Sequence, residues 1–430
     1  MAETIAAPVA GDTPRDRALP LSSPTVRVAA TAAGMWFATR VSLALLTYVS
    51  GIMNGRLPRY GGEGMDQNTF FVSGVRGPGA LLESWQHWDA NWYVGIARGG
   101  YTFLAGATAF FPLFPALWRA AGAVVAQSGS TARWHLAGML VANLATLVAF
   151  VAVAVLVHDE TRDRALSGRT VLVLAAYPLA FFLAAPFTEG PFLAAAALAL
   201  LFTRRGWWLP AAGCAYLAGL TRPSAVILFL PMAWEYARQH GWWSNWAWAR
   251  ASLPARAREL GLAIPVVGAV PLAVLTYMAY LWHRFGDPLA FVAAEGYWTR
   301  QATAPWRTAQ LLWQHLLAQP AWGYWQQLVL LDVALFLLFA AITLAAVRTV
   351  PFAFTLYMAG LLAVCVATPA VQYVDVISGT YRFLTAAIPV FLVTARFLGG
   401  RPALESFVLS GGFVLQAALC TFYLSGGWLS

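Results

Sequence analysis

Ionisable side chains are scarce in this 430-residue chain, and those that persist beside long apolar runs are the first candidates for chemistry. An ionised group at the centre of a membrane helix costs at least ~2.5 kcal/mol, so its retention calls for a reason. The first such place is His87-Trp88-Asp89-Ala90-Asn91-Trp92-Tyr93, where one carboxylate sits among indoles. Asp89 at an interface could act as general base towards a sugar hydroxyl, or simply hydrogen-bond a neighbouring loop. Glu189 is the second; because it precedes Pro191 it could equally serve as a helix-start acid. Arg222 and Arg382 are the third and fourth. Both can contact a phosphate bidentately, and both could instead snorkel to ordinary headgroups. Tyr381 and the polar run before it favour Arg382 as part of a pocket wall. The fifth is Gly286-Asp287-Pro288, where Asp as N-cap and Pro at the first helical position point to structure. Glu295, Tyr297, Trp298, Arg300, Trp306 and Arg307 follow in an aromatic-and-arginine stretch suited to a sugar or an acceptor lipid. Asp332, inside an apolar run, reads as a packing polar group or as part of a cavity.

Other chemistries have no motif to rest on. GxSxG, HExxH, P-loop and glycine-rich dinucleotide patterns are missing from the sequence. The six histidines are scattered, and Cys214, Cys365 and Cys420 lie in apolar segments without CxxC spacing. No metal site is expected, although a divalent cation assisting a phosphate is left open.

The elements that must position these residues are set by composition. Hydrophobic residues make up 60% and charged residues 10%, against roughly 25% charged in soluble domains. Lipid is the solvent such a chain needs, and a hydrocarbon core of ~30 Å takes about 20 apolar residues as helix. The expected fold class is therefore all-α and polytopic, with about 10–12 transmembrane or re-entrant helices. The net charge of +9 comes from arginine alone, since no lysine occurs, and its arginines sit in short loops. That distribution gives topology signals and no nucleic-acid patch.

Residues 1–25 read as a disordered cytosolic tail, and 26–430 as one membrane domain whose first span runs to about Ile52. Residues 53–108 form a first large loop. Within it Trp85, Trp88, Trp92 and Ile96 make one stripe of an expected amphipathic interfacial helix. Further apolar runs cover about 109–127, 135–157, 170–187, 191–203, 207–220, 223–236, 260–282, 326–347, 352–370, 383–398 and 403–427. Breaks are expected at Thr188–Pro191 and at Thr221–Pro223. Pro112 and Pro115 make 109–127 the candidate for a broken or re-entrant segment. Arginine-rich loops around 162–169, 204–205, 238–258, 348 and 396–401 favour the cytosol. That places Asp89, Glu189, Arg222, a second large loop 283–325 and Arg382 on the extracytoplasmic face.

The motifs also carry a family resemblance. HWDANWYVGIARGGY (87–101) followed by AFFPLFP (109–115), then PFTEGPF (186–192), LTRPSAVIL (220–228), FGDPLAF (285–291) and SGTYRF (378–383), resembles in order and spacing the PIG-V type mannosyltransferases, over about residues 36–395. The sequence departs in having His87 where an Arg is expected and Gly190 where Ser is commoner. The resemblance implies a GT-C glycosyltransferase fold and a polyprenyl-phosphate-mannose donor used on the outer face. It implies Asp89 as the catalytic carboxylate and a glycan, lipid or protein acceptor. Arg382 and Arg222 would bind the donor phosphate, with Glu189, His87, Trp88, Asn91, Tyr93 and Tyr381 supporting the acceptor or the site. A bacterial chain would sit in the plasma membrane and a eukaryotic one in the endoplasmic reticulum membrane. The competing class is a carrier or flippase for a lipid-linked or small polar substrate, which predicts charge deep in the bundle and paired halves.

Overall fold

The computed structural model describes residues 23–53, 79–101, 105–126, 130–242, 253–320, 322–373 and 375–429. Nearly all of the tail expected over 1–25, and most of the stretch 53–78, lie outside the described residues. Those that are described form helices and no named strand; the only ladder-like pairing among them is an isolated antiparallel bridge between Arg300 and Ala370.

Among the described residues, five helices are long and apolar enough to cross a bilayer: α1 (Ser23–Met53), α5 (Thr131–Thr161), α10 (Leu253–Phe285), α13 (Tyr324–Ala346) and α17 (Pro402–Leu424). The protein is accordingly an all-α, multi-pass membrane protein. A further span is formed if the short helices from Thr380 to Ala386 are counted with α16 (Ile388–Leu398), the two parts meeting at a 75° bend. The remaining runs make shorter helices: α2 (Gly79–Glu83), α3 (Asp89–Gly99), α4 (Leu113–Val125), α6 (Arg164–Ala175), α7 (Glu189–Arg204), α8 (Trp208–Thr221), α9 (Phe229–Gln239), α11 (Ala290–Glu295), α12 (Pro305–Ala318), α14 (Phe352–Ala367) and α15 (Thr380–Phe383). At 13 residues, about 20 Å, α4 falls short of a crossing.

The bundle is built around α7, which is buried along almost its whole length. It is alanine-rich, and small side chains let α5 and α8 approach it closely. Gly190 permits a close approach: a Cβ there would lie 2.5 Å from Thr146 Oγ1 and 2.8 Å from the Ala142 carbonyl oxygen of α5. Thr146 in turn donates to the carbonyls of Ala142 (2.9 Å) and Leu183 (2.6 Å), which fastens the segment 176–188, with its short 3-10 helix Ala180–Leu183, against α5. A second, smaller core gathers α3, α4 and the end of α10 around Trp92, Phe110, Phe114, Trp118 and Tyr277.

Both expected breaks occur. α7 starts at Glu189, and α8 stops at Thr221, after which Arg222 is extended (φ −162°, ψ 148°) and Pro223 opens a 3-10 turn. Arg222 is extended as the residue before a proline is expected to be, whereas Pro191 sits in the first turn of α7, where its missing amide proton costs no helical hydrogen bond.

The interfacial helix is a correction. The helix begins only at Asp89, so Trp85 and Trp88 precede it, and Trp85, Trp92 and Ile96 are buried in protein. Trp85 donates its indole N–H to Thr47 Oγ1 (3.1 Å) of α1, and Trp92 stacks on Phe110 at 5.3 Å. Of the expected stripe only Trp92 and Ile96 lie on the helix, and the apolar surface they meet belongs to neighbouring parts of the protein. Asp287 also differs in detail: its Oδ1 accepts from Leu289 N (2.9 Å) in a turn, and the helix starts at Ala290.

The two ends of the bundle differ in charge chemistry. At one, Arg204 bridges Glu160 (2.6 Å) and Glu235 (2.6 Å), Arg205 meets Asp159 (2.7 Å), Arg238 meets Glu235 (2.8 Å) and Arg169 meets Glu405 (2.9 Å). The arginines read as topology signals thus also tie helix ends together. The other end of α7, 16 residues or about 24 Å away, begins with Glu189.

Candidate functional site

Four charged side chains from four separate elements meet at the Glu189 end. Asp89 is the first residue of α3, Glu189 the first of α7, Arg222 the extended residue after α8, and Arg382 lies in α15. Arg382 Nη2 contacts Asp89 Oδ2 at 2.7 Å and Glu189 Oε1 at 3.0 Å, and its Nε donates to Glu189 Oε1 at 3.1 Å. Arg222 Nη2 reaches the same Glu189 oxygen at 3.0 Å, and Arg222 Nε donates to Thr188 Oγ1 at 3.0 Å. Tyr93 Oη lies 3.3 Å from Thr188 Oγ1, extending the network back to α3. Two carboxylates and two guanidinium groups leave the cluster formally neutral, which is what a site inside an apolar bundle requires.

Within the cluster the four groups are not equivalent. Glu189 has no side-chain exposure, and its Oε2 has no hydrogen-bond partner. Arg222 and Arg382 are each 11% exposed and Asp89 29%, so the open side of the cluster is lined by Asp89 and the arginines. Among the described residues, no hydrogen bond or ion pair engages Asp89 Oδ1 or the Nη1 atom of either arginine. The guanidinium planes are fixed by aromatic faces: Arg382 lies over Phe182 (5.0 Å) and Phe187 (4.7 Å), and Arg222 between Phe192 (5.5 Å) and Phe383 (5.4 Å). Arginines held this way present unused N–H donors in a fixed direction, the requirement for an anion seat.

The backbone around these residues is also constrained. Trp88, immediately before Asp89, has φ 52° and ψ −119°, a conformation that costs a non-glycine residue of the order of 1–3 kcal/mol. Its ring packs edge-on against Trp428 at 4.2 Å, which holds it there. His87 stands edge-on to Tyr423 at 5.6 Å, and burial pushes its imidazole down to about 4, partly offset by a backbone hydrogen bond with Leu424. Asn91 is buried one turn into α3. Tyr381 is a correction: its ring is fully buried and walls no pocket. Its contribution is through the backbone, since its N–H donates to Asp332 Oδ1 (3.0 Å) and its carbonyl accepts from Tyr177 (2.9 Å). Asp332, with no solvent exposure, therefore fixes the residue next to Arg382.

The loop carrying Glu295 lies on the same side. Burial raises the Glu295 carboxyl, with Asp89 adding to the rise and Arg300 opposing it. Arg300 donates to the carbonyls of Thr368 (3.1 Å) and Ser378 (2.8 Å), stitching this loop to the strand of chain that leads into Arg382. Tyr297, Trp298, Trp92 and Phe110 form a contiguous aromatic wall with ring separations of 5.0–6.0 Å.

Sequence reasoning named Asp89, Glu189, Arg222 and Arg382 and these converge; His87, Trp88 and Tyr381 support the segments around them without joining the cluster. It missed Thr188 and the aromatic faces at Phe182, Phe187, Phe192 and Phe383. Thr188 adjoins Glu189 at the break, a signal that was present, but nothing in the spacing of phenylalanines distinguishes a guanidinium platform from ordinary packing. Among the described residues, no group of three or more His, Cys, Asp or Glu side chains is arranged to hold a metal.

Fold and site together define a multi-pass helical membrane protein with a neutral, partly open carboxylate–guanidinium cluster at one end of its bundle. No family model, curated protein or solved structure matches the chain.

Proposed function

We propose that the protein is a GT-C type glycosyltransferase that moves mannose from a polyprenyl-phosphate donor to an extracytoplasmic acceptor with inversion. The observation that carries this reading is the cluster in which Arg382 joins Asp89 to Glu189 and Arg222 meets the same Glu189 oxygen, with Asp89 and both arginines partly exposed. The resemblance of its motifs to the PIG-V type mannosyltransferases supplies the sugar and the lipid donor. The donor phosphate binds the free N–H groups of Arg222 and Arg382. This draws Arg382 towards the phosphate and leaves Asp89 to accept the proton of the acceptor hydroxyl. The acceptor oxygen bonds to the anomeric carbon as the bond from that carbon to the phosphate oxygen breaks, and the electron pair leaves with the phosphate. Negative charge grows on the departing phosphate, so guanidinium groups already fixed by aromatic faces stabilise that change more than the ground state. Glu189, wholly buried between the arginines, positions them and does not touch substrate.

The test is transfer of radiolabelled mannose from polyprenyl-phosphate mannose in membranes holding the wild type or Asp89→Asn. A general base contributes about 10²–10⁴-fold, and a loss of that size is expected. Transfer that survives the substitution removes Asp89 as base. Solute or lipid flux without any sugar transfer would replace the enzyme with a carrier.

A further inference from the structure

The buried and half-buried arginines of the bundle have acceptors: Arg204, Arg205, Arg222 and Arg382 all meet carboxylates. Arg40 does not. It is the eighteenth of 31 residues in α1, so about 20 Å of helix separates it from Met53 and about 25 Å from Ser23, beyond the reach of snorkelling to either end. It is half-buried, and among the described residues its shielded Nε and Nη1 donate to nothing. One turn before it, the Trp36 indole donates to the Asn143 carbonyl of α5 (3.0 Å); two turns after it, Thr47 accepts from Trp85. The guanidinium therefore lies on the flank of the bundle between those two anchors. α1 is the least covered of the five long helices, with only 17% of its apolar window buried.

A guanidinium keeps its charge in any environment it meets in a protein, so Arg40 cannot escape its missing acceptor by losing a proton. In a bilayer such a group draws in an anion or polar headgroup, and the lipid-facing side of α1 gives that anion an approach. We infer that Arg40 is a lipid-phosphate binding site on the flank of the bundle, separate from the Asp89 cluster. A phosphate ester matches the planar fork of N–H donors bidentately, and the lipid chain attached to it lies along the uncovered face of α1. Two sources share this chemistry: the headgroup of an anionic phospholipid, and the phosphate of an isoprenoid lipid.

The full chain is purified, delipidated and placed in nanodiscs of phosphatidylcholine alone, with phosphatidylglycerol, or with polyprenyl phosphate. Thermal unfolding and lipid phosphorus per chain are then measured for the wild type, Arg40→Lys and Arg40→Met. The wild type is expected to melt higher with one of the two phosphate lipids and to retain more lipid phosphorus than Arg40→Met. The rise should be lost in Arg40→Met and partly kept in Arg40→Lys. A response to phosphatidylglycerol assigns a bulk headgroup, and a response to polyprenyl phosphate alone assigns an isoprenoid lipid. Equal lipid phosphorus and equal melting of wild type and Arg40→Met in all three discs would overturn the inference. So would a wild type that responds to neither phosphate lipid, a result independent of whether the variants fold.

Discussion

At the scale of single residues, Glu189 shows how one carboxylate can matter more by holding charges than by reacting. Its Oε1 meets both Arg222 and Arg382, and neither arginine has another carboxylate of comparable burial. Glu189→Ala leaves two guanidinium groups in an apolar setting, and breaking a buried pair in this way costs about 3–5 kcal/mol. The expected outcome is a large fall in melting temperature together with loss of transfer, read by thermal unfolding and the mannose assay. His87 gives a pH dependence. Its folded value of about 4 lies below the ordinary 6.5, so the unfolded chain binds the proton more readily between those values. The stability contributed by the neutral imidazole is fully present above pH 6.5 and is lost as pH falls towards 4, by an amount of roughly 2–3 kcal/mol. His87→Gln should flatten the decline in melting temperature between pH 6.5 and pH 4, whereas an unchanged decline would place its cause elsewhere.

At the scale of elements, the site depends on where helices stop. Asp89 and Glu189 each open a helix, and Arg222 follows the end of another, so all three lie at ends where backbone direction changes. Gly190 sets how closely the start of α7 approaches α5, and the atoms a Cβ would meet include the Ala142 backbone carbonyl, which cannot turn away. Gly190→Ala must shift the start of α7, and overpacking of this kind costs about 1–3 kcal/mol. Because Glu189 moves with it, transfer should fall further than stability alone explains, which a comparison of activity with folded fraction checks. The breaks were legible in the sequence because proline and its preceding residue obey local steric rules. The Trp stripe was legible as a spacing, although only Trp92 and Ile96 of it lie on the helix. What covers that stripe was not, since an indole pattern looks the same whether lipid or another helix lies against it.

At the scale of the whole molecule, the bundle keeps its paired arginine network and its candidate site at opposite ends of α7. From the alternation of arginine-rich loops the expectation is that the first of these faces the cytosol and the second the outside. Cysteine substitutions at two exposed positions test this: Ala165→Cys on the network side and Trp306→Cys on the site side. A membrane-impermeant maleimide should label position 306 in intact cells and position 165 only after permeabilisation; the reverse pattern would put the site in the cytosol and end the proposed use of an outer-leaflet donor.

Taken alone, the sequence determined that this chain lives in lipid and is helical, because 60% apolar residues in runs of helical length have no other stable solution. It also singled out Asp89, Glu189, Arg222 and Arg382, because charge beside apolar runs is costly wherever it folds. Only the tertiary structure decided that these four belong to one neutral cluster, since contacts such as Asp89 with Arg382 join residues 293 positions apart. Pairing over that distance depends on how helices pack, and packing is set by many small complementary surfaces whose outcome no local pattern of residues encodes.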